Sequence, residues 1–441
     1  MGLHELIGRF GTVSSNQEEA VHIGSMRNAL GGWVLAIQIF FVGMLTLPTT
    51  FQLQRGVFLA VLVVLAVSFA IRHWRVHRDV LFLWTATMFV GAFGVVWGVL
   101  NGSPGALRVS TVYLVWPAVY FLFIGLAHRL FVIHRLETAL LVGVVLATIM
   151  ALIVLMAGVF GFGELVFSLM RFQDAGFGSY SGSIEFRLYN LTTVMYGFPF
   201  VIAVLLARRG DWSGWRTVAL WLLLGTILVV SVGSGRRMFW LLVLLSPFVV
   251  LFFLQLSALR LPALPLMRVG MRFLLVMILI LGMSILALGL DPVAVADQFV
   301  AAFLGQENSS SIRFEQASAL WGAFAESPLL GNGLGSAVEI NRSKEMPWAY
   351  ELWYLSLLMN VGLLGFLVYT SAVVWVLIKG VMIARKDRAF AALFVPLASA
   401  MVIFLIMTAT NPYMGKFDYL WVIFLPVALI NAYLTKREVD A

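Results

Sequence analysis

Cysteine is absent from this 441-residue chain, and charged residues are scarce, at 11% of the sequence. The first absence excludes disulfides, thiolate catalysis and cysteine-based metal sites. The second excludes an ordinary water-soluble fold, because a chain that is 61% hydrophobic cannot cover its surface with so few charges. The alternating pattern of an outer-membrane barrel is also missing. The composition therefore predicts an all-α fold that spans a lipid bilayer.

Apolar runs near the length needed to cross a ~30 Å hydrocarbon layer recur along the chain. We predict about twelve transmembrane helices, at residues 29–51, 56–71, 80–100, 111–128, 138–160, 191–207, 217–233, 238–258, 273–290, 350–378, 389–410 and 418–434. Residues 29–434 then form a single transmembrane domain, with short tails at 1–28 and 435–441. Two connections, 161–190 and 291–349, are long enough to form large periplasmic loops, the second acting as a cap.

The basic residues indicate the orientation of the chain. With both termini in the cytoplasm, 19 of the 29 Lys and Arg residues fall in inner segments. The +8 net charge is thus explained by orientation and not by nucleic-acid binding. All six histidines also fall on the inner side: His4, His22, His73, His77, His128 and His134. Because the outer carboxylates show no metal-ligand spacing either, we expect no metal site on the outer face.

Arginine dominates the outer cations, and its planar fork of donors suits phosphate oxygens. Arg236 and Arg237 share a four-residue turn between two apolar helices, where adjacent cations are unfavourable without an anion. They either pair with lipid headgroups or bind a diphosphate. Arg187 precedes a predicted span and is either a phosphate ligand or the partner of a nearby carboxylate. Arg313 opens a helix-like stretch, and Arg171 is a further candidate.

Glu351 is the outer carboxylate with the most demanding position, at the start of an apolar run. A carboxylate at the edge of hydrocarbon is costly unless it is paired or faces a polar cavity. It is either a helix N-terminal residue favoured by the helix dipole or a general base.

Two nearby patterns have a structural and a functional interpretation. The Gly331–Gly335 stretch is either a plain turn or a loop whose amides approach phosphate. The aromatic residues Trp348, Tyr350, Trp353 and Tyr354 form either an interfacial belt or a surface for stacking on sugar rings.

Several of these motifs, taken in order, resemble the O-antigen ligase/polymerase superfamily. Arg313–Ala317 followed by Pro328–Gly335 is similar to its arginine, helix and "PLLGxGxG" turn in the large periplasmic loop. Glu351–Gly365 resembles the element that follows, ending in "GLLG". Ser231–Arg237 is similar to its Ser/Arg turn, and Arg187 matches its other loop arginine. The resemblance covers roughly residues 185–365.

The resemblance implies a GT-C-like helical fold in the bacterial inner membrane. Such enzymes act at the periplasmic face on undecaprenyl-diphosphate-linked glycans, without a metal, another cofactor or a nucleotide sugar. Ligases that attach O-antigen to lipid A-core carry His where this chain has Glu351. That departure favours a Wzy-type polysaccharide polymerase over a ligase. A lipid-linked oligosaccharide flippase is the alternative from a different functional class.

Under this interpretation the site residues have two roles. Glu351 accepts the proton of the acceptor hydroxyl, and Arg313 stabilises the transition state. The diphosphate is bound by Arg187, Arg236, Arg237 and Arg171. The expected partners are a lipid-linked donor, a lipid-linked acceptor, the bilayer and a chain-length regulator.

Overall fold

The computed structural model describes residues 31–180, 183–208, 214–260, 308–341 and 343–440, with a few isolated positions between 271 and 293. The first half of the chain contains α1 Gly31–Thr46, α2 Gln52–His73, α3 Arg78–Leu100, α4 Ala106–Ser110, α5 Trp116–Leu126, α6 Leu130–Val159 and α7 Gly163–Leu169. A short hairpin, β1 Gly176–Tyr180 and β2 Ser183–Arg187, follows. The remaining described helices are α8 Leu191–Ala207, α9 Gly214–Gly233, α10 Arg237–Leu256, α11 Asn308–Glu326, α12 Trp353–Ala384, α13 Arg388–Thr408 and α14 Trp421–Asp440.

The prediction of a mostly helical, membrane-embedded protein is confirmed. In the described residues, seven helical stretches are long and apolar enough to cross a bilayer: Gln52–Ile71, Arg78–Leu100, Ala106–Leu126, Val132–Val159, Gly214–Ser231, Trp353–Ala384 and Arg388–Thr408. Eleven of the twelve predicted spans overlap a described helix. The other, 273–290, lies outside the described residues, apart from isolated positions. Twelve crossings therefore stay a prediction.

Helices α8 and α13 form the centre of the bundle and pack against each other. Nearly every residue of α8 is buried, and most residues of α13 are as well. A helix that is apolar on all sides is buried among other helices or exposed to lipid, and α8 and α13 are buried. Around this pair lie α6, α9 and α10 on one flank and α12 and α14 on another. Helix α3 packs on α12, and α2 and α14 pack on α5.

Ionic side chains collect at the two ends of the bundle. At one end, Lys379 Nζ lies 3.1 Å from Asp79 Oδ2, which joins α12 to the start of α3. At the same end, Ala258 N donates to Ala384 O at 2.8 Å, just beyond α10 and at the end of α12. The opposite end carries Glu351, and with it the predicted site residues whose positions are described next. The two are called the Asp79 end and the Glu351 end below.

The predicted loop 161–190 contains the short β-hairpin, which is the one described two-stranded sheet in a mostly helical structure. Its antiparallel register pairs Gly176 with Arg187 and Phe177 with Phe186. Glycines at positions 176 and 178 weaken any helix, and the side chain of Phe186 on the second strand is fully buried. The length of this segment was predicted from the sequence, but the alternating pattern of its two strands was not.

Within the predicted loop 291–349, the helical spacing of Phe314, Leu320 and Trp321 is confirmed by α11. The helix buries Gln316 and Leu320, whereas Phe314 and Trp321 point away from the protein. The expected turn at Gly331–Gly335 is also confirmed, with positive φ angles at Gly331, Gly333 and Gly335.

Candidate functional site

An ion pair joins the two residues that sequence reasoning placed at the centre of the chemistry. Arg313 Nε lies 2.7 Å from Glu351 Oε2, and both side chains are partly exposed. Arg313 comes from the second turn of α11, and Glu351 stands two residues before α12 begins. A charge-assisted hydrogen bond of this kind is short and directional. The structure thus brings together two groups that lie 38 positions apart in the sequence.

Tyr413 connects this ion pair to the predicted arginine turn. It lies in a 3₁₀ turn, Tyr413–Gly415, in the connection between α13 and α14. Burial raises the pKa of the Tyr413 hydroxyl, the nearby Arg236 guanidinium lowers it, and the negative charge of Glu351 raises it again. The Tyr413 hydroxyl is therefore close to both Arg236 and Glu351. The sequence analysis did not single it out.

Arg236 is held by a tight turn between α9 and α10. Gly235 has a φ of 65°, a conformation that glycine adopts at no steric cost. Ser234 Oγ accepts from the backbone N–H of Arg236 at 3.3 Å. The Arg236 Nε is buried and has no hydrogen-bond partner. A buried guanidinium donor without an acceptor is costly. The Arg236 Nε is therefore a candidate donor to an anionic ligand.

Arg237 occupies the first position of α10, and its side chain lies outside the described part of the structure. Its predicted role in binding a diphosphate stays a prediction.

A second charged group surrounds Asp418 in the α13–α14 connection. Asp418 is almost fully buried, pairs with Arg55 and accepts the Thr49 backbone N–H at 3.0 Å. Burial raises the pKa of the Asp418 carboxyl, and Arg55 opposes that effect. This ion pair holds the α13–α14 connection against the start of α2.

Lys416 lies between the two groups. Burial of its ammonium lowers its pKa, Asp418 raises it, and Arg236 lowers it further. The side chain nevertheless reaches solvent, since Lys416 is exposed. Lys416 and Asp418 were visible in the sequence as outer charges. Their closeness to Arg236 depends on how α13 and α14 pack, so the sequence carried no signal for it.

The other two predicted phosphate ligands make no contact with the Arg313–Glu351 pair among the described side chains. Arg187 ends β2 and Arg171 begins a 3₁₀ turn, and both side chains are exposed. Among the described side chains, neither makes an ion pair. Tyr419 Oη donates to Tyr189 O at 3.5 Å, so the chain just after Arg187 does approach the α13–α14 connection. The structure does not place Arg171 or Arg187 in the Arg313–Glu351 group.

The Gly331–Gly335 amides are already used by the protein. Gly331 N donates to Ser327 O at 2.9 Å, and Gly333 N to Asn360 O at 2.9 Å. Leu334 N donates to Gly94 O at 2.8 Å. Donors that point at protein carbonyls cannot also cradle a phosphate, so the plain-turn interpretation is favoured.

The aromatic residues 348, 350, 353 and 354 are packed inside the protein more than the residues of an interfacial belt would be. Tyr350 is buried, and its hydroxyl accepts from Val338 N at 2.6 Å. Tyr354 Oη donates to Leu405 O at 2.7 Å, which ties α12 to α13. Trp348 lies under the Arg108 guanidinium, 6.0 Å from it. The interfacial-belt interpretation is wrong for Tyr350, because its ring lies in a buried cluster with Leu320 and Met359.

An apolar groove runs from this group along the bundle. Its volume is about 290 Å³, and its walls come from α3, α5, α12, α13 and α14. Trp353, Tyr354 and Met414 line its end nearest to Glu351 and Tyr413, and Val80 lines the far end. An apolar chain could therefore lie in the groove with its polar head among the charged side chains.

The described histidines lie at the Asp79 end. His77 Nε2 is 3.2 Å from Glu438, and His134 Nδ1 is 4.0 Å from Glu137. Within the described residues, no group of three or more His, Asp or Glu side chains is arranged to hold a metal ion.

No protein-family model matches the chain, and no curated protein matches it.

Proposed function

We propose that this protein is a polysaccharide polymerase. It transfers a glycan from undecaprenyl diphosphate to the non-reducing end of a lipid-linked repeat unit. In this proposal the chain has twelve spans in a GT-C-like arrangement in the bacterial inner membrane, both termini are cytoplasmic, and the Glu351 end faces the periplasm. The resemblance of residues 185–365 to the O-antigen ligase/polymerase superfamily supports the substrate class.

The proposal rests on one observation: Glu351, paired with Arg313, acts electrostatically on Tyr413, which hydrogen-bonds with Arg236, and residues next to Glu351 and Tyr413 line an apolar groove. Among the described side chains of this region, the four cations Arg55, Arg236, Arg313 and Lys416 interact with two carboxylates, Glu351 and Asp418. A partly dehydrated group with two excess positive charges favours an anion such as a diphosphate. The groove suits the isoprenoid chain attached to that anion.

The reaction forms one bond at the anomeric carbon and breaks another. The acceptor hydroxyl oxygen attacks the anomeric carbon of the donor glycan, and the bond from that carbon to the diphosphate oxygen breaks. The hydroxyl proton passes to Glu351, and the electron pair leaves with the undecaprenyl diphosphate. Arg236 and Lys416 stabilise the charge that develops on the leaving group.

Arg313 couples the two events. Its guanidinium is paired with Glu351 at 2.7 Å before the reaction. Once Glu351 carries the proton it no longer holds that charge, and Arg313 becomes available to the diphosphate. The proton transfer thus strengthens electrostatic stabilisation when the leaving group needs it.

Incubation of the purified protein with one defined lipid-linked repeat unit tests the proposal. We expect the wild type to form a ladder of longer products without any membrane gradient. Arg313→Ala and Glu351→Gln should each abolish the ladder, with losses of at least about 100-fold, because each removes a group used in the transition state.

Glu339→Gln and Lys344→Ala are the matched controls, since both change exposed outer charges that make no ion pair among the described residues. Wild-type ladders from Arg313→Ala or Glu351→Gln would refute the assigned role. Movement of the intact lipid across the bilayer without any transfer would instead identify a flippase.

A further inference from the structure

Helix α11 and the turn that follows it run alongside two helices of membrane length, α12 and α3. At its start, Arg313 lies beside Glu351, just before α12. At its far end, Pro328 O accepts from Leu363 N at 2.8 Å, and Leu329 O accepts from Leu364 N at 3.2 Å. Helix α11 therefore runs in the same direction as α12, over about 15 Å at 1.5 Å per residue.

The chain then returns along α3. Trp97 Nε1 donates to Gly331 O at 3.0 Å, Leu334 N donates to Gly94 O, and Gly105 N donates to Gly335 O at 3.0 Å. These contacts, with that of Asn101 Nδ2 to Asn332 O at 3.2 Å, lie between Gly94 and the residues just beyond the end of α3 at Leu100. Residues 308–336 thus form a hairpin, helix α11 followed by the Gly331–Gly335 turn, whose deepest contact with α3, at Gly94, lies about 9 Å short of the outer end of that helix.

The backbone of α12 is adapted to receive the tip of this hairpin. Gly362, inside α12, has a φ of 63° and a ψ of −175°, so the helix is interrupted there. The Leu363 and Leu364 amides near the break are the two that bond to the tip of the hairpin. A Cβ built on Gly362 would lie 2.3 Å from Leu329 O, so no other residue fits. Non-helical backbone is tolerated at membrane depth only where the protein satisfies its polar groups.

The outward face of the hairpin is apolar. Phe314, Trp321 and Leu329 are 68%, 57% and 58% exposed, and Leu330 is exposed beside them. Phe314 and Trp321 are seven positions apart and so share one face of α11. Glu315 and Glu326 lie on the neighbouring strip. The apolar strip adjoins the exposed face of α12 that carries Leu363, Leu364 and Leu367.

We propose that residues 308–336 form a re-entrant element that enters the membrane leaflet at the Glu351 end, with its apolar strip against lipid acyl chains. Acyl chains are the occupant because the strip continues the exposed apolar face of α12, a helix of membrane length. The inference is independent of the proposed function. It assigns this part of the expected loop 291–349 to the bilayer instead of the aqueous cap.

Site-directed fluorescence quenching tests it, and the natural absence of cysteine makes single-cysteine variants unambiguous. Leu329→Cys and Leu330→Cys are labelled with bimane and reconstituted into phosphatidylcholine vesicles that contain doxyl-labelled lipid. Leu367→Cys on α12 serves as the lipid-facing control, and Glu339→Cys, exposed beyond the hairpin, as the aqueous control.

We expect doxyl lipid to quench positions 329 and 330 several-fold more than position 339, close to the level at position 367. Iodide should show the reverse order. Iodide quenching at 329 and 330 equal to that at 339 would overturn the proposal, and so would resistance to both quenchers, which would mean that protein covers the strip. Two adjacent labelling positions protect the result against one variant that fails to fold.

Discussion

At the scale of single residues, the ionisable side chains at the Glu351 end are affected by the charges of their neighbours. Tyr413 is affected by Arg236 and Glu351 together, and Lys416 by Arg236 and Asp418. Glu351 was identified from its place at the start of an apolar run. Tyr413 and Lys416 had no such mark, because one more aromatic residue or lysine near a predicted interface is ordinary.

Lys416 offers a test of this electrostatic arrangement that does not need a substrate. Burial lowers its pKa from the ordinary lysine value, so the neutral, nucleophilic amine is populated at lower pH than in free lysine. We expect acylation of Lys416 to reach half its maximal rate at a lower pH than acylation of Nα-acetyl-lysine amide, measured by peptide mass spectrometry.

Asp418→Asn should move the Lys416 profile to still lower pH, because Asp418 raises the lysine pKa. Arg236→Gln should move it in the opposite direction. Profiles that coincide with free lysine in all three proteins would show that these charges do not act on Lys416.

At the scale of elements, the hairpin of residues 308–336 depends on glycines that permit close approach. Gly331 has a φ of 74°, and a Cβ there would lie 2.4 Å from the Gly362 nitrogen. Sequence reasoning predicted a turn at this position from the glycine pattern. It could not predict that the turn docks against α3 and α12, since the contact with α3 joins segments more than 200 positions apart.

Gly331→Ala should therefore destabilise the protein by more than about 1–3 kcal/mol, the usual cost of a strained backbone position, with backbone overlap in addition. Gly322→Ala, in the exposed part of α11 with nothing near the new Cβ, should be neutral or stabilise by about 0.5–1 kcal/mol. Thermal unfolding in detergent, followed by the loss of helical signal, measures both. Equal midpoints for the two variants would contradict the close packing of this turn.

At the scale of the whole molecule, the charges divide the bundle into two ends. The predicted orientation places the Glu351 end in the periplasm, because 19 of 29 basic residues fall in the segments on the other side. The ion pair of Lys379 with Asp79 and the contact of His77 with Glu438 both lie at the Asp79 end. A position from each end is enough to test the direction of insertion.

Glu345→Cys and Lys386→Cys are exposed positions at the two ends. A membrane-impermeant maleimide should label Glu345→Cys in intact spheroplasts and should label Lys386→Cys only after lysis. The reverse pattern would invert the topology and would place Arg313 in the cytosol, which removes the proposed substrate from reach of the site.

The sequence by itself determined that the surrounding solvent is lipid, that the secondary structure is mainly helical, and which charged residues were the main candidates. Long apolar runs can be stable only in lipid and only as helices, so eleven of the twelve predicted spans overlap described helices. The tertiary structure decided which charges meet. It paired Arg313 with Glu351 and added Tyr413 and Lys416, whereas Arg171 and Arg187 are exposed and stay predicted ligands. Helix-forming tendency is local and can be read from a window of residues, whereas a site depends on the packing of distant helices.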